Sequence, residues 1–132
     1  MQSAPHRRLQ AALAAFIPAA RLVTDPLRLL TWGSDASFYR LLPQLIVVVE
    51  DEAELVRLLA LCHEHRTPLT FRAAGTSLSG QAISDSVLVM LGDNWRGCRV
   101  GEGGWTISLQ PGIIGAAANK RLHLESELWR AL

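Results

Sequence analysis

Five consecutive aliphatic residues, Leu45-Ile46-Val47-Val48-Val49, constrain this chain more than any other feature. A half-buried strand alternates apolar and polar side chains, because successive Cβ atoms point to opposite faces. This run does not alternate, so it describes a strand covered on both faces. Such a strand needs helices against it, and the sequence supplies one at once. Glu50-Asp51-Glu52 puts acidic side chains where the dipole of a helix N-terminus favours them. Apolar residues then recur at Ala53, Val56, Leu59 and Ala60, with Leu55, Leu58, Leu61 and Cys62 widening the stripe. The spacing predicts a helix to about His65, ended ahead of Pro68.

Two further strands follow, Leu69-Thr70-Phe71-Arg72 and Val87-Leu88-Val89-Met90-Leu91. Trp105-Thr106-Ile107-Ser108-Leu109 alternates with period two, as a strand with one exposed face does. Pro111-Gly112 breaks it, and helical spacing resumes over 113–122. Upstream, residues 1–20 predict a loosely attached helix closed by Pro18. Over 21–44, Pro26, Gly33 and Pro43 interrupt any long element, and Trp32-Gly33-Ser34-Asp35-Ala36-Ser37 reads as an ordered loop. Residues 92–104 are turn-rich. The order strand, helix, strand, loop, strand, strand, helix belongs to an α/β or α+β domain with one parallel crossover unit.

Composition narrows the function classes. The 132 residues suit one domain, and 13 Lys+Arg against 12 Asp+Glu leave a net charge of +1. That balance excludes the basic excess of a nucleic-acid binder or a polybasic membrane anchor. No run approaches the about 20 apolar residues of a spanning helix. Arg7-Arg8 followed by the apolar residues 9–17 has the outline of a signal peptide, but the stretch is too weakly hydrophobic and reads as an alanine-rich surface helix. Cys62 and Cys98 provide neither a disulfide framework nor metal-ligand spacing, and read as free thiols in a reducing compartment. His63 and His65, two apart on a helix, point in different directions and read as solvated. Trp95 and Trp105 read as covering the core edge. Asp35, in the Ser-Asp-Ala-Ser loop, suits a turn cap, with a contact to a partner segment of the domain as the other reading.

The segment that carries chemistry is Phe71-Arg72-Ala73-Ala74-Gly75-Thr76-Ser77-Leu78-Ser79-Gly80-Gln81-Ala82. It leaves a strand and is built almost entirely of small or hydroxylated residues. Small side chains let a ligand approach the backbone, and successive N–H groups form an anion-binding nest. Thr76, Ser77 and Ser79 add hydroxyls, and Arg72 adds a positive charge, which together suit a phosphate or pyrophosphate. A generic flexible turn is the other reading. Gly75 and Gly80 have the spacing of a P-loop, but Gln81-Ala82 stands where that motif needs Lys and Ser or Thr. The dinucleotide fingerprint and the serine-hydrolase elbow are also absent.

This loop resembles that of PCMH-type FAD-binding flavoproteins, the vanillyl-alcohol-oxidase group. Within the group the chain is most similar to FAD-linked D-lactate and D-2-hydroxyacid dehydrogenases. The resemblance rests on the loop, on Trp32-Gly33-Ser34-Asp35-Ala36-Ser37-Phe38-Tyr39-Arg40-Leu41-Leu42-Pro43, on the strand and helix over 45–65, and on Leu109-Gln110-Pro111-Gly112-Ile113-Ile114-Gly115. It covers roughly residues 21–122, and it implies the α+β N-terminal subdomain of that fold, a small mixed sheet with flanking helices. It implies that Arg72, Ala73, Ala74, Gly75, Thr76, Ser77, Ser79 and Gly80, with Pro111 and Gly112, hold FAD through its pyrophosphate. Many relatives carry glycines where Ala73-Ala74 stand, so neither alanine can need a positive φ. Covalent relatives often carry a histidine in or beside this loop; none lies between Phe71 and Gln81, which implies noncovalent FAD. The implied chemistry is hydride removal from the hydroxyl-bearing carbon of a D-2-hydroxyacid, with electrons passed to an iron–sulfur module, a quinone or a cytochrome. The implied location is the cytoplasm, with membrane association through the electron acceptor as an option.

The family continues with a second FAD segment and a substrate domain that carries its catalytic and metal-ligand residues. Residues 123–132 do not match that continuation, which points to a truncated or frame-shifted reading frame, or to a tail in which Leu124, Leu128 and Ala131 share a helical face. No catalytic residue and no metal ligand is assigned to this chain. Weak or absent FAD binding by the chain alone, no turnover, and self-association through uncovered surface are the expectations. The alternative function is a noncatalytic binding or assembly module.

Overall fold

The computed structural model describes residues 2–131, with side chains as far as residue 123. They fall into two compact units, one ending at Gly92 and one starting at Asp93. The first unit contains α1 (Ala4–Leu13), β1 (Leu22–Val23), α2 (Pro26–Thr31), β2 (Leu45–Val49), α3 (Glu52–Glu64), β3 (Leu69–Arg72) and β4 (Val87–Leu91). The second contains β5 (Cys98–Val100), β6 (Ile107–Leu109) and α4 (Gly115–Ala131). A mixed α/β architecture with a small mixed sheet and covering helices is what the sequence predicts.

The sheet of the first unit runs β1-β2-β4-β3. β4 pairs parallel with β2 from Leu45↔Val87 to Val49↔Leu91, and parallel with β3 from Leu69↔Val87 to Arg72↔Met90. β1 pairs antiparallel with β2. The two central strands are the aliphatic runs expected to be covered on both faces. Ile46, Leu88, Met90 and Val23 form one buried layer, against which Leu29, Trp32 and Val48 pack. Leu45, Val47, Val49, Val87 and Val89 alternate to the opposite face and are fully buried.

α3 starts at Asp51, whose carboxylate accepts from the Glu54 N–H at 2.8 Å, and ends where Arg66 takes φ 53°. α1 lies against α3, and the two helices bury Leu9, Leu13, Leu58 and Cys62. Arg21 clamps this layer: it forms a bidentate pair with Glu54 at 2.7 and 2.6 Å and also donates to the Val48 carbonyl. That hydrogen bond from Arg21 holds the Glu54 carboxyl below its usual range.

Several expectations need correction. The stripe Ala53, Val56, Leu59, Ala60 faces solvent, with Val56 59% and Leu59 42% exposed, while Leu58 and Cys62 are buried. Apolar residues cover so much of α3 that periodicity alone does not select the face; the neighbouring helix does. Pro26 starts α2 instead of interrupting it, because a first-turn proline needs no N–H partner and Asp25 caps the Arg28 N–H at 2.9 Å. α1 ends at Leu13, before Pro18. In the second unit β6 begins at Ile107, β5 lies in the stretch read as turns, and Trp105 is 92% exposed instead of covering the core edge. Trp95 is buried as expected. α4 runs from Gly115 to Ala131, past the expected end at 122. The expected face of Leu124, Leu128 and Ala131 lies outside the described side chains. Cys62 and Cys98 are both unpaired thiols, and among the described residues no helix is long and apolar enough to cross a membrane.

α1 also carries a polar side chain into the interior. His6 of α1 is buried between two hydroxyls, with Nδ1 2.6 Å from Ser3 Oγ and Nε2 2.8 Å from Ser86 Oγ. Burial lowers its pKa below the ordinary 6.5, and Asp85 opposes the shift. The unfolded chain therefore takes up this proton first. The stability tied to neutral His6 is complete above pH 6.5 and is lost as the pH falls through 6.5 and then through the lower folded value. Melting curves between pH 7.5 and 5.5 should show a falling midpoint in the wild type and a flatter profile in His6→Gln (about one pH unit either side of the ordinary value). The two faces of α3 give a second test: Leu58→Ala should cost about 2–5 kcal/mol in a denaturant titration, and Val56→Ala less than about 0.5 kcal/mol.

Candidate functional site

β3 ends in Arg72, and the chain then passes through residues 73–86 before it re-enters the sheet at Val87. Strand alternation points Arg72 inward, where it is 8% exposed. Its Nη1 donates to the carbonyl of Ser34 at 2.8 Å and to that of Ala82 at 3.3 Å. The guanidinium lies 5.2 Å from the centre of the Trp32 ring. Arg72 Nε is buried without a hydrogen-bond partner, and Arg72 forms no ion pair among the described residues. A buried cation without a carboxylate is costly unless something else supplies negative charge.

The loop is folded around that charge. Gly75 takes φ +71°, and a Cβ there would collide with the Arg72 guanidinium. Gly80 takes φ +75°, and a Cβ there would sit 2.9 Å from the Tyr39 ring. Both positions thus require glycine for conformation and for space. Neither Ala73 nor Ala74 takes a positive φ, so alanine sits at both positions without backbone strain. Ser77 Oγ accepts from the N–H groups of Ser79 at 3.3 Å and Gln81 at 3.1 Å, which leaves its own proton to donate outward. Thr76 and Ser79 are exposed. The N–H groups of Ala73, Ala74, Gly75, Thr76, Ser77, Leu78 and Gly80 meet no acceptor among the described residues.

A second loop braces the first. Asp35 Oδ1 accepts from the Ser37 N–H at 2.9 Å and its hydroxyl at 2.5 Å, and Oδ2 accepts from the Ala82 N–H at 3.2 Å. The Ser37 hydroxyl, first of these, holds the Asp35 carboxyl below its usual range. The Ala36 N–H donates to the Gly75 carbonyl at 3.0 Å. Asp35 therefore caps its turn, as its sequence suggests, and also reaches the chemistry-bearing loop. Tyr39, Arg40, Leu41, Ser79, Gly80 and Ile83 line an open recess of about 280 Å³ beside it. Asp35, Ala36 and Tyr39 lie in the family-resembling stretch 32–43 and Ala82 ends the segment 71–82, but no local pattern marks them as partners across the two loops.

Pro111 and Gly112 lie in the second unit. The Gly112 N–H donates to the Trp95 carbonyl at 2.8 Å, and a Cβ at Gly112 would stand 2.6 Å from that oxygen. Glycine at this step thus allows two backbones to touch. Among the described residues no cluster of His, Cys, Asp or Glu has the makings of a metal site, and His63 is exposed.

Residues 43–129 match the family model described as the FAD binding domain. The chain belongs to that family. Two relatives of this FAD-binding domain are the glycolate oxidase subunits GlcD of Escherichia coli K12 and of Bacillus subtilis 168. The first is 28% identical over 112 residues, covering 83% of this chain and 22% of that protein. The second is 31% identical over 78 residues, covering 58% of this chain and 17% of that protein. The chain thus spans about a fifth of the length of these curated relatives. Its fold matches an alkyldihydroxyacetonephosphate synthase with a TM-score of 0.72 at 22% identity, covering 90% of this chain and 25% of the other. It also matches p-cresol methylhydroxylase with a TM-score of 0.73 at 9% identity, covering 96% of this chain and 26% of the other. These likenesses place the fold among PCMH-type FAD-binding domains, as the resemblance implied.

FAD is the cofactor of the family, and the first unit suits its pyrophosphate. The loop offers unpaired amides, two glycines where a side chain would obstruct, and a buried cation without a counter-charge. Gly75→Ala should therefore lower the melting midpoint by about 4 °C or more, for a cost of order 1 kcal/mol or above. Gly115→Ala, with open space around it, should leave the midpoint unchanged or slightly raised.

Proposed function

We propose that this chain holds the pyrophosphate of FAD for an oxidoreductase that acts on a small 2-hydroxyacid, with D-lactate and glycolate as the first substrates to test. The single observation that carries the cofactor half is Arg72, buried without an ion pair against a loop whose amides meet no acceptor among the described residues. A pyrophosphate would supply the missing negative charge and accept from those amides at once. The N–H groups of residues 73–77 and of Gly80 would bind it, and Thr76, Ser77 and Ser79 would orient it through hydroxyl protons. The lack of a histidine between Phe71 and Gln81 supports noncovalent attachment.

The substrate half rests on the likeness to proteins named as glycolate oxidase subunits. Glycolate and D-lactate share a hydroxyl on the carbon next to a carboxylate. Bound FAD supplies the hydride-accepting chemistry, while the protein supplies position and electrostatics. No residue of this chain is given a catalytic role. An iron–sulfur module, a quinone or a cytochrome as the next electron carrier, and a cytoplasmic location, complete this reading. A second reading, a noncatalytic assembly module, draws on the exposed side chains Phe38 (87%) and Leu78 (78%) beside the loop.

Titration of the chain with FAD, followed by flavin fluorescence and by melting, separates the two. Weak but saturable binding is expected, with a midpoint that rises with FAD concentration; a hundredfold excess over Kd corresponds to about 2.7 kcal/mol of stabilisation. ADP should compete, since it carries the same pyrophosphate. A melting midpoint indifferent to FAD, together with concentration-dependent self-association, would favour the assembly module.

A further inference from the structure

We propose that Asp35 is a positioning residue for the phosphate loop: it bonds to the loop's own backbone and fixes the loop in the form that offers its unpaired amides. The inference rests on the reading of residues 73–80 as the pyrophosphate cradle.

The two loops are joined at three points. Arg72 Nη1 donates to the Ser34 carbonyl, Asp35 Oδ2 accepts from the Ala82 N–H, and the Ala36 N–H donates to the Gly75 carbonyl. Ala82 is therefore held at both of its backbone groups, its carbonyl by Arg72 and its N–H by Asp35. Gly75 and Ala82 bracket Thr76, Ser77, Leu78 and Gly80, four of the residues whose amides are unpaired. Bonds at these two positions hold a stretch of backbone that has no hydrogen-bond ladder of its own.

Asp35 is itself held for this task. The Tyr39 N–H donates to Ser37 Oγ at 3.2 Å, and the Ser37 hydroxyl donates to Asp35 Oδ1. Tyr39 then packs on Gly80, so one short segment contacts the loop at both of its positive-φ glycines. A carboxylate suits the position because both of its oxygens accept: Oδ1 takes two donors from Ser37, and Oδ2 takes the backbone donor 47 residues away. Asparagine has one acceptor oxygen and must turn an NH2 toward one of these donors.

The test uses Asp35→Ala and Asp35→Asn in the full chain, with three readouts: amide hydrogen exchange at Ala36, FAD affinity and melting. The Ala36 N–H bonds to Gly75, not to Asp35, so its protection reports the loop and not the lost side chain. Asp35→Ala is expected to speed exchange at Ala36 and to weaken FAD binding, each about tenfold or more, as the loss of a charged hydrogen bond would. Asp35→Asn is expected to fall between, and both proteins should still melt cooperatively. Unchanged Ala36 exchange in Asp35→Ala, or faster exchange with unaltered FAD affinity, would overturn the proposal. If the wild type ignores FAD while Asp35→Ala still loosens Ala36, the cofactor reading fails and the bracing role survives. If Asp35→Ala does not fold, Asp35→Asn decides on the same two readouts.

Discussion

The whole site hangs on one side chain, the guanidinium of Arg72. It closes the edge strand β3, turns inward with strand alternation, and meets carbonyls from two loops instead of a carboxylate. An arginine cannot shed its charge to escape burial, as a lysine or histidine does. Its field therefore remains under the loop, and the backbone above it is shaped to fit: glycine at 75, where any Cβ would strike the guanidinium, and free amides on either side. The loop sequence, the edge strand and the brace from residues 34–36 are parts of one arrangement around a fixed positive charge.

The sheet exists to hold that charge in place. β2 and β4 are covered on both faces and pair parallel over five residues, which gives β3 a rigid neighbour. β3 pairs on one side only, and its C-terminal end leads the loop outward while Arg72 stays buried. Exposed apolar side chains occur on both loop segments, with Phe38, Leu41, Leu42, Phe71 and Leu78 all uncovered. In a cofactor-binding fold a bulky ring system and the rest of a larger protein are natural covers for such surface.

Much of this was legible in the sequence, and the limits of legibility have physical causes. Strands β2 and β4 were readable because an uninterrupted aliphatic run has few other homes. The loop was readable because small residues leaving a strand narrow the chemistry to close backbone approach. The buried face of α3 was not: with leucines and alanines nearly all round, the helix has no single stripe, and only packing against α1 chooses Leu58 over Val56. β1 is two residues long and is made by its pairing with β2, not by propensity. Asp35 showed its turn-capping half locally, while its bond to Ala82 spans 47 residues and leaves no periodic trace. His6 escaped notice because nothing in its neighbours signals that Ser86 lies across from it.

The central claim is that residues 73–80 cradle an anionic cofactor over Arg72. The most direct measurement is an amide-resolved NMR titration of the isotope-labelled chain with FAD. The account predicts saturable shifts concentrated on Ala74, Gly75, Thr76 and Ser77, with the Arg72 Nε–H signal moving in step. Shifts that spare this loop, or that gather on another surface of the first unit, would contradict it.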